Sequence, residues 1–474
     1  MGSLASHQSR SPEPVVGVKL IASALTLTGL GTCLALGRTL GLHNADSLIP
    51  VFVSLDGWLP FYWGQDRFGM FLPLLVSPIR DSFWNLVAQH ALGIVLLAAG
   101  ACSVAGRAAA PVPLAVGVSL VLSLLWWPAD DVVVLLLTSN QSYGAALGLH
   151  GIGLALLSTS SGLLRRLAAW ALIALGTWTN GGVGILTAAV VSVATALPAL
   201  RRDALSMVPP VVGSLLFHVA LQRLAPGVRL DVSHVDVPSA SILASRFAEF
   251  AFDAHRQVFG TGALPIAFAV ASLCVAKRRE PHVWQWMVAA LMGSCLYGLA
   301  MVTLFGGVGR HSAPVLPVML TAVLVVLGRE LTPRATGAGT ALLVAAVVAW
   351  SGVRSPKAGR QWLAERLTAG NATELFRDRP DVVTGEYWHA WPYAFGLNLL
   401  HEQVDGKRHV LPMALRAEDF FVPKSKLLPQ GTRVVVVPTG WYLYWEVHGP
   451  TQPLHVRKVR NDYEVAELGG VPER

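Results

Sequence analysis

The chain has 474 residues, of which 53% are hydrophobic and only 14% are charged. A soluble protein of this length carries about 25% charged residues, so the composition excludes an ordinary soluble enzyme and predicts a multi-pass membrane protein. The net charge of +8 would suit a nucleic-acid partner. The distribution of that charge between the two faces of a membrane explains it better, so we predict no nucleic-acid binding.

Apolar segments long enough to cross a bilayer, which takes about 20 residues, recur from Val15 to Gly352. We predict a disordered cytoplasmic N-terminus at residues 1–14 and a transmembrane domain at residues 15–353. All four cysteines fall inside apolar spans, so neither a disulfide framework nor a cysteine metal site is indicated. The predicted spans, about eleven, are 15–37, 84–105, 112–127, 143–160, 167–181, 184–200, 205–223, 261–276, 283–305, 313–328 and 336–352.

Basic residues occupy every second connection between these spans. Cytoplasmic loops retain Lys and Arg, so the alternation predicts an amino terminus inside and a carboxy-terminal tail outside. It also requires a break at Thr179–Gly182, because a single long span there would expose Lys277–Arg279 on the outer face. The basic connections contain Arg107, Arg165 with Arg166, Arg201 with Arg202, Lys277–Arg279, and Arg329 with Arg334.

The first external loop, residues 38–83, gathers polar and aromatic side chains just beyond the first span. It carries three aspartates, Asp46, Asp56 and Asp66. A partly desolvated carboxylate near the bilayer surface can act as a general base toward a hydroxyl or amine. We therefore predict all three as candidate catalytic residues.

The same loop offers candidate substrate-binding residues. Arg67 can hold a phosphate through its planar fork of donors, and Tyr62 and Trp63 can stack on a sugar face or on lipid. Plainer interpretations stay open. Asp46 could cap a short helix, Asp66 and Arg67 could be solvated, and the aromatic residues could form the interfacial belt.

The second external loop, residues 224–260, contains an amphipathic stretch. Its apolar face carries Leu243, Phe247 and Phe250, and its polar face carries Arg246 and Arg256. Such a helix usually lies in the membrane interface. We count Arg256 among the candidate substrate-binding residues.

A glycine-rich segment, residues 306–314, lies at the external mouth between the ninth and tenth predicted spans. Arg310 and His311 there could neutralise a lipid phosphate, or they could be an anchoring pair that reaches the interface. His150 and His218 lie within spans, where a functional role competes with a neutral histidine bonded to a helix carbonyl.

Residues 354–474 are charged, spaced by proline and lack a span. We predict helices at 357–376 and 388–402, and strands at 433–437, 441–447 and 454–459, because the latter are rich in β-branched and aromatic residues. This pattern predicts a small external α/β domain. The overall fold class is therefore an all-α polytopic membrane bundle followed by that domain.

Several chemical signatures are missing from the sequence. It has no phosphate-binding glycine loop with lysine, no zinc-protease helix motif and no nucleophile elbow. We predict no cofactor and no metal site. A divalent metal is compatible with the chemistry considered below, although no residue cluster indicates one.

The layout resembles the GT-C-type polytopic glycosyltransferases that use polyprenyl-phosphate-linked sugars, of the bacterial mannosyltransferase and aminoarabinose-transferase kind. Those enzymes place an essential aspartate after the first span, where Asp46 stands, and often follow it with interfacial helices, where residues 61–81 stand. Many carry a basic residue before a proline at the start of a late span, as at Arg310–Pro314. The chain departs from the many members that have two adjacent acidic residues after the first span.

The resemblance implies an integral cell-membrane enzyme of the bacterial envelope that transfers a sugar, with inversion, from a polyprenyl-phosphate donor to an acceptor on the external face. Its partners would be that donor, the lipid bilayer and a glycan, lipid or protein acceptor. Two alternatives stay open. A transporter or lipid flippase would need ionisable residues at mid-membrane depth, which are few here. A non-catalytic envelope assembly protein would need no site at all.

Overall fold

The computed structural model describes most of the helical bundle and much of the carboxy-terminal region. The described residues are 14–39, 43, 45–56, 58–61, 69–108, 110, 112–125, 136, 142–159, 162–224, 239–257, 271, 281–305, 309–330, 356–407, 410–414, 431–438, 454–459 and 462–468.

The described part of the chain up to residue 330 is mostly helical. Three of its helices, α4, α9 and α11, are long and apolar enough to cross a membrane, and several of the others are apolar but shorter. The helices are α1 (Pro14–Thr39), α2 (Ala45–Asp56), α3 (Phe71–Val76), α4 (Ser82–Arg107), α5 (Pro113–Leu125), α6 (Tyr143–Thr159), α7 (Leu163–Thr179), α8 (Gly181–Ala196), α9 (Arg201–Leu224), α10 (Ala240–Gln257), α11 (Pro281–Phe305), a 3₁₀ turn (Gly309–Ser312) and α12 (Val315–Glu330).

The predicted break near Thr179 is confirmed. Helix α7 ends at Thr179 and α8 begins at Gly181, with Asn180 between them. The Asn180 side chain accepts a hydrogen bond from the backbone N–H of Val183 (3.3 Å), which caps α8. The predicted spans 261–276, apart from Ala271, and 336–352 lie outside the described residues, so the number of spans stays a prediction.

The first loop contains two described helices, one of them within residues 61–81, where the resemblance predicted interfacial helices. The longer one, α2, begins at Ala45, so Asp46 lies inside its first turn instead of capping it. Within residues 61–81 the described helix is the six-residue α3. Helix α2 includes Pro50, which has no N–H, so the carbonyl of Asp46 receives no helical hydrogen bond from position 50.

The carboxy-terminal region folds as a mixed sheet with helices packed on it. The strand order is β2-β1-β3-β5-β4; β1 pairs in parallel with β2 and β3, and β5 pairs antiparallel with β3 and β4. The predicted strands at 433–437 and 454–459 are confirmed, and 441–447 lies outside the described residues. The elements are α13 (Pro356–Leu367), α14 (Ala372–Asp378), β1 (Val382–Gly385), α15 (Tyr387–Asp405), β2 (Leu411–Ala414), β3 (Arg433–Val437), β4 (Leu454–Val459) and β5 (Glu464–Leu468).

Helix α15 packs directly on α2 of the first loop. The Phe52 ring lies edge-on to Trp391, with centroids 5.3 Å apart, and to Phe395 at 5.9 Å. All three side chains are almost fully buried. Burial of aromatic rings at this depth is among the strongest packing contributions in a protein, so the carboxy-terminal unit fixes where α2 lies.

Polar contacts join the same unit to the start of α4. Glu402 accepts hydrogen bonds from the backbone N–H of Ser82 (3.0 Å) and from its hydroxyl (2.6 Å). Asp81 caps α4 by accepting from the N–H of Trp84, and it forms an ion pair with Arg360 at 2.6 Å. The amino-terminal end of α4 is thus held by two carboxylates, as the helix dipole favours.

Candidate functional site

The N-terminal end of α2, which carries Asp46, lies against the N-terminal half of α4. The His43 ring stacks on His90 of α4 with centroids 5.5 Å apart, and His43 Nδ1 is 3.2 Å from the Ser47 hydroxyl. His90 and Ser47 are fully buried. These contacts fix the first turn of α2, and therefore the backbone position of Asp46.

The C-terminal end of α2 is fixed by a buried amide. The side-chain N–H group of Asn85 donates to the Ser54 hydroxyl (2.9 Å) and to the Ile79 carbonyl (2.9 Å). Ser54 in turn donates to the carbonyl of Pro73 (2.9 Å). Breaking buried hydrogen bonds costs free energy, so these bonds hold α2, α3 and α4 together as one rigid support.

The segment after α2 crosses to the turn between α7 and α8. Trp58 Nε1 donates to the carbonyl of Met70 (2.8 Å), and Trp178 Nε1 donates to the carbonyl of Pro60 (3.0 Å). The N–H of Gly69 donates to the carbonyl of Trp178 (2.9 Å), and Phe61 and Gly69 form an antiparallel bridge. Phe61 and Gly69 are thus held side by side. Residues 62–68, which carry Tyr62, Trp63, Asp66 and Arg67, lie outside the described residues.

A polar junction lies at the same end of the bundle, where α6, α8, α11 and the 3₁₀ turn meet. The Tyr297 hydroxyl donates to the carbonyl of His311 (2.8 Å), and both side chains are buried. A Cβ added at Gly182 would lie 3.1 Å from the Asn180 amide oxygen, 3.4 Å from the Tyr297 hydroxyl and 4.0 Å from the Tyr143 ring. A side chain at position 182 would therefore lie among these three polar groups, with its tightest contact to Asn180.

The second-loop helix completes this end of the bundle. Helix α10 contacts both α11 and the 3₁₀ turn, and Phe250 and Phe247 pack against Gly298. Arg256 lies on α10 and Arg310 on the 3₁₀ turn, so the structure brings the elements that carry these two predicted cations into contact.

The predicted catalytic aspartates are not equivalent. Asp46 and Asp56 lie at opposite ends of α2, ten residues apart. At 1.5 Å per residue that is about 15 Å, so at most one of them can touch a given pair of reacting atoms. The side chain of Asp56 is exposed. Asp66 lies outside the described residues.

Other residues at this end were not among the sequence-predicted site residues. Tyr143 of α6, Asn180 before α8 and Tyr297 of α11 lie close together around Gly182. Trp178 donates a hydrogen bond to the first loop, at the carbonyl of Pro60. Each lies within a span or a short turn, and the sequence gives no sign that they meet. The one available signal was the Thr179–Gly182 break, which predicted a turn but no function.

His150 and His218, the two histidines predicted within spans, have separate roles in packing. The Ser214 hydroxyl donates its one hydrogen to the carbonyl of Val211, so it must accept from the Thr177 hydroxyl (2.9 Å). Because Thr177 has then used its own hydrogen, His150 Nε2 must donate to Thr177 (3.1 Å). The partner of His150 is therefore a hydroxyl, where a helix carbonyl was the simpler prediction. His218 packs edge-on to Phe61 with centroids 5.8 Å apart, which joins α9 to the first loop.

Among the described residues, no group of three or more His, Cys, Asp or Glu side chains is arranged to hold a metal ion. Four of the first-loop candidates lie outside the described residues, so the absence of a metal site stays a prediction.

No protein-family model matches the sequence, and no curated protein matches it. Among solved structures, the chain is similar to ArnT from Cupriavidus metallidurans in the apo state, at 14% identity and a TM-score of 0.50, over 96% of this chain and 98% of that one. It also matches the archaeal oligosaccharyltransferase AglB from Archaeoglobus fulgidus, solved with an inhibitory peptide and a dolichol-phosphate, at 12% identity over 90% of this chain and 70% of that one. Its TM-score of 0.41 is too low to establish a shared fold. The likeness to ArnT spans nearly the whole of both chains, and the protein therefore shares the fold of ArnT.

Proposed function

We propose that this protein is an integral membrane glycosyltransferase that moves a sugar from a polyprenyl-phosphate donor to an acceptor. The reaction takes place at the end of the bundle formed by the first loop, the second-loop helix and the 3₁₀ turn. The basic connections lie at the other end, so this end faces outward. In a bacterium the protein then lies in the cell membrane, with its carboxy-terminal unit outside.

One observation carries the proposal: three segments far apart in sequence gather at one end of a GT-C-type fold. The first loop contacts the α7–α8 turn through Trp178, and Asn180 and Gly182 of that turn region adjoin Tyr297. Tyr297 then bonds to His311 of the 3₁₀ turn, which α10 covers. A lipid-linked donor at headgroup depth needs a carboxylate, cations and aromatic rings at one place, and the first loop, α10 and the 3₁₀ turn carry the candidates Asp46, Arg256 and Arg310.

In the proposed reaction Asp46 is the general base. It accepts the proton of the acceptor hydroxyl as that oxygen bonds to the anomeric carbon of the donor sugar. The bond from the anomeric carbon to the phosphate oxygen breaks, and polyprenyl phosphate leaves with that bond's electron pair. One displacement inverts the anomeric centre. General-base assistance of this kind contributes roughly 10²- to 10⁴-fold in rate.

The remaining candidates bind the substrates. Arg67 or Arg310 holds the donor phosphate, because a guanidinium matches phosphate with two parallel hydrogen bonds. His311 and Arg256 add to the positive surroundings of the phosphate, and Tyr62 and Trp63 stack on the sugar. Asp56, about 15 Å from Asp46 along α2, lies at the acceptor side.

The test is a donor panel with the purified full-length protein in nanodiscs. Polyprenyl phosphates carrying different labelled hexoses and pentoses are supplied with an extract of envelope glycans and lipids. The proposal expects labelled product and free polyprenyl phosphate from at least one donor. Movement of intact donor between leaflets without cleavage of the sugar–phosphate bond would instead identify a flippase.

A further inference from the structure

The 3₁₀ turn that carries Arg310 is set back into the helix bundle. Helix α11 ends at Phe305, yet the carbonyl of His311 lies 2.8 Å from the hydroxyl of Tyr297, eight residues before that end. Eight residues of α-helix rise about 12 Å, so the chain folds back along α11 before the turn forms. Residues 311–313 are all buried. The turn is therefore enclosed by protein.

Tyr297 fixes the backbone of this turn. The residue lies within the candidate span Pro281–Leu304, and backbone outside regular helices is stable at membrane depth only where its polar groups find partners. The fully buried Tyr297 side chain supplies one, by donating its hydroxyl hydrogen to the carbonyl of His311. A buried carbonyl that loses a donor costs free energy, so without this hydroxyl the turn should shift.

The next residue on α11, Gly298, fixes the second-loop helix. A Cβ added there would lie 3.0 Å from the ring of Phe250 and 3.6 Å from the ring of Phe247, both on α10. Phe250 is buried. Because position 298 has no side chain, α10 packs directly on the backbone of α11. Arg256 follows Phe250 by six residues, about 9 Å along α10.

We propose that Tyr297 and Gly298 are positioning residues for the donor phosphate. Tyr297 places the turn that carries Arg310, and Gly298 places the helix that carries Arg256. The two are consecutive, with Cα atoms about 3.8 Å apart, so one short segment of α11 sets the spacing of the two cation-bearing elements. Each acts through an arginine and need not touch the substrate. The inference rests on the proposed function, which assigns those arginines to the polyprenyl phosphate.

The first test measures binding of undecaprenyl phosphate, which requires no transfer. Purified full-length Tyr297→Phe in nanodiscs lacks only the hydroxyl, so its Kd should rise by about threefold to tenfold. The KM for a donor should rise similarly while kcat stays near wild type, as expected when binding is lost equally before and during reaction. Tyr393→Phe is the matched control, because that buried hydroxyl bonds to Asn371 in the carboxy-terminal unit, and it should bind as wild type. An unchanged Kd in Tyr297→Phe would overturn the proposal.

Gly298→Ala tests the second contact independently, whether or not Tyr297→Phe folds well. The added methyl group crowds the Phe250 ring, so α10 must move away from α11. The Kd for undecaprenyl phosphate should rise at least about threefold. Gly93→Ala is the control, since a Cβ there meets nothing within 4 Å among the described residues. Wild-type binding by Gly298→Ala would contradict the proposal.

Double-mutant cycles separate positioning from a general loss of stability. In an Arg310→Gln background, Tyr297→Phe should cost almost no further binding, because the arginine that Tyr297 positions is already gone. Gly298→Ala should likewise cost little in an Arg256→Gln background. Additive losses in either cycle would show a merely structural effect and refute the assignment.

The results also distinguish this inference from the proposed reaction. A wild type that binds undecaprenyl phosphate and shows both couplings, yet releases sugar from no donor, would support the positioning role and contradict the transferase. Sugar transfer by the wild type, with unchanged binding in Tyr297→Phe and Gly298→Ala, would contradict the positioning role alone.

Discussion

At the scale of single residues, one carboxylate connects the two parts of the molecule. Glu402 reaches from α15 to the first residue of α4 and accepts from both the N–H and the hydroxyl of Ser82. Hydrogen bonds to an ionised acceptor are worth roughly 1.5–3 kcal/mol, more than neutral ones. The end of α4 also attracts negative charge, because its N–H groups have no helical partners.

We expect Glu402→Gln to loosen this junction. The amide keeps the shape but loses the charge, so the free energy of unfolding should fall by about 1–3 kcal/mol. Hydrogen exchange should rise at the start of α4 more than in its middle. Asp405→Asn, on the same helix but exposed, is the control and should change neither quantity. Equal exchange in both variants would show that Glu402 does not hold α4.

At the scale of elements, α4 and α6 cross with almost no side-chain volume between them. A Cβ added at Gly100 would lie 2.6 Å from the Cα of Gly148, and one added at Gly148 would collide with the carbonyl of Leu96. Small residues allow membrane helices to approach this closely and to gain packing energy along their length. This crossing holds the centre of the bundle together.

Gly148→Ala should therefore be destabilising, although alanine is the better helix former. The methyl group meets backbone that cannot move aside, so we expect a loss of about 1–3 kcal/mol or more. Gly93→Ala is the matched control on α4, since a Cβ there meets nothing within 4 Å among the described residues, and it should gain up to about 1 kcal/mol. Thermal unfolding in one detergent compares them, and a stabilised Gly148→Ala would contradict the close crossing.

The sequence predicted some elements well and others poorly, for physical reasons. The strand Arg433–Val437 contains four consecutive valines, which favour a β-strand, so it was predicted from sequence alone. Leu411–Ala414 contains a proline and pairs only because β1 lies beside it. Helix α2 was hard to predict because Pro50 discourages a helix, and the burial of Phe52 against α15 outweighs that local cost.

The candidate site also combines features that the local sequence encodes with features that depend on helix packing. The position of Asp46 could be predicted from the sequence, because it follows soon after an apolar span. The junction of Tyr143, Asn180 and Tyr297 depends on how α6, α8 and α11 pack, and no local pattern encodes that packing. The 15 Å separation of Asp46 from Asp56 likewise required knowing that the residues between them are helical.

At the scale of the whole molecule, the two ends of the bundle have opposite character. One end gathers the first loop, the 3₁₀ turn and the carboxy-terminal unit. The other carries exposed arginines such as Arg165 and Arg201. A membrane protein keeps its basic residues on the cytoplasmic side, so this asymmetry predicts the orientation in the membrane.

Reporter fusions test that orientation. A reporter fused after Arg354 should be external, and one fused at Lys277 should be cytoplasmic, because the basic connections share one side. A fusion after Arg202 is the internal control and should agree with Lys277. Finding the Arg354 and Lys277 reporters on the same side of the membrane would rule out the proposed topology.

The central claim is that the N-terminal end of α2 carries the catalytic base, and a comparison of aspartate variants tests it most directly. Transfer of a labelled sugar from a polyprenyl-phosphate donor is measured for purified Asp46→Asn, Asp56→Asn and Asp66→Asn in nanodiscs. Asp46→Asn should lose roughly 10²- to 10⁴-fold in rate at near-normal stability, while the other two variants should mainly weaken substrate binding. A wild-type rate for Asp46→Asn beside an inactive Asp56→Asn, or wild-type rates for all three, would contradict that claim.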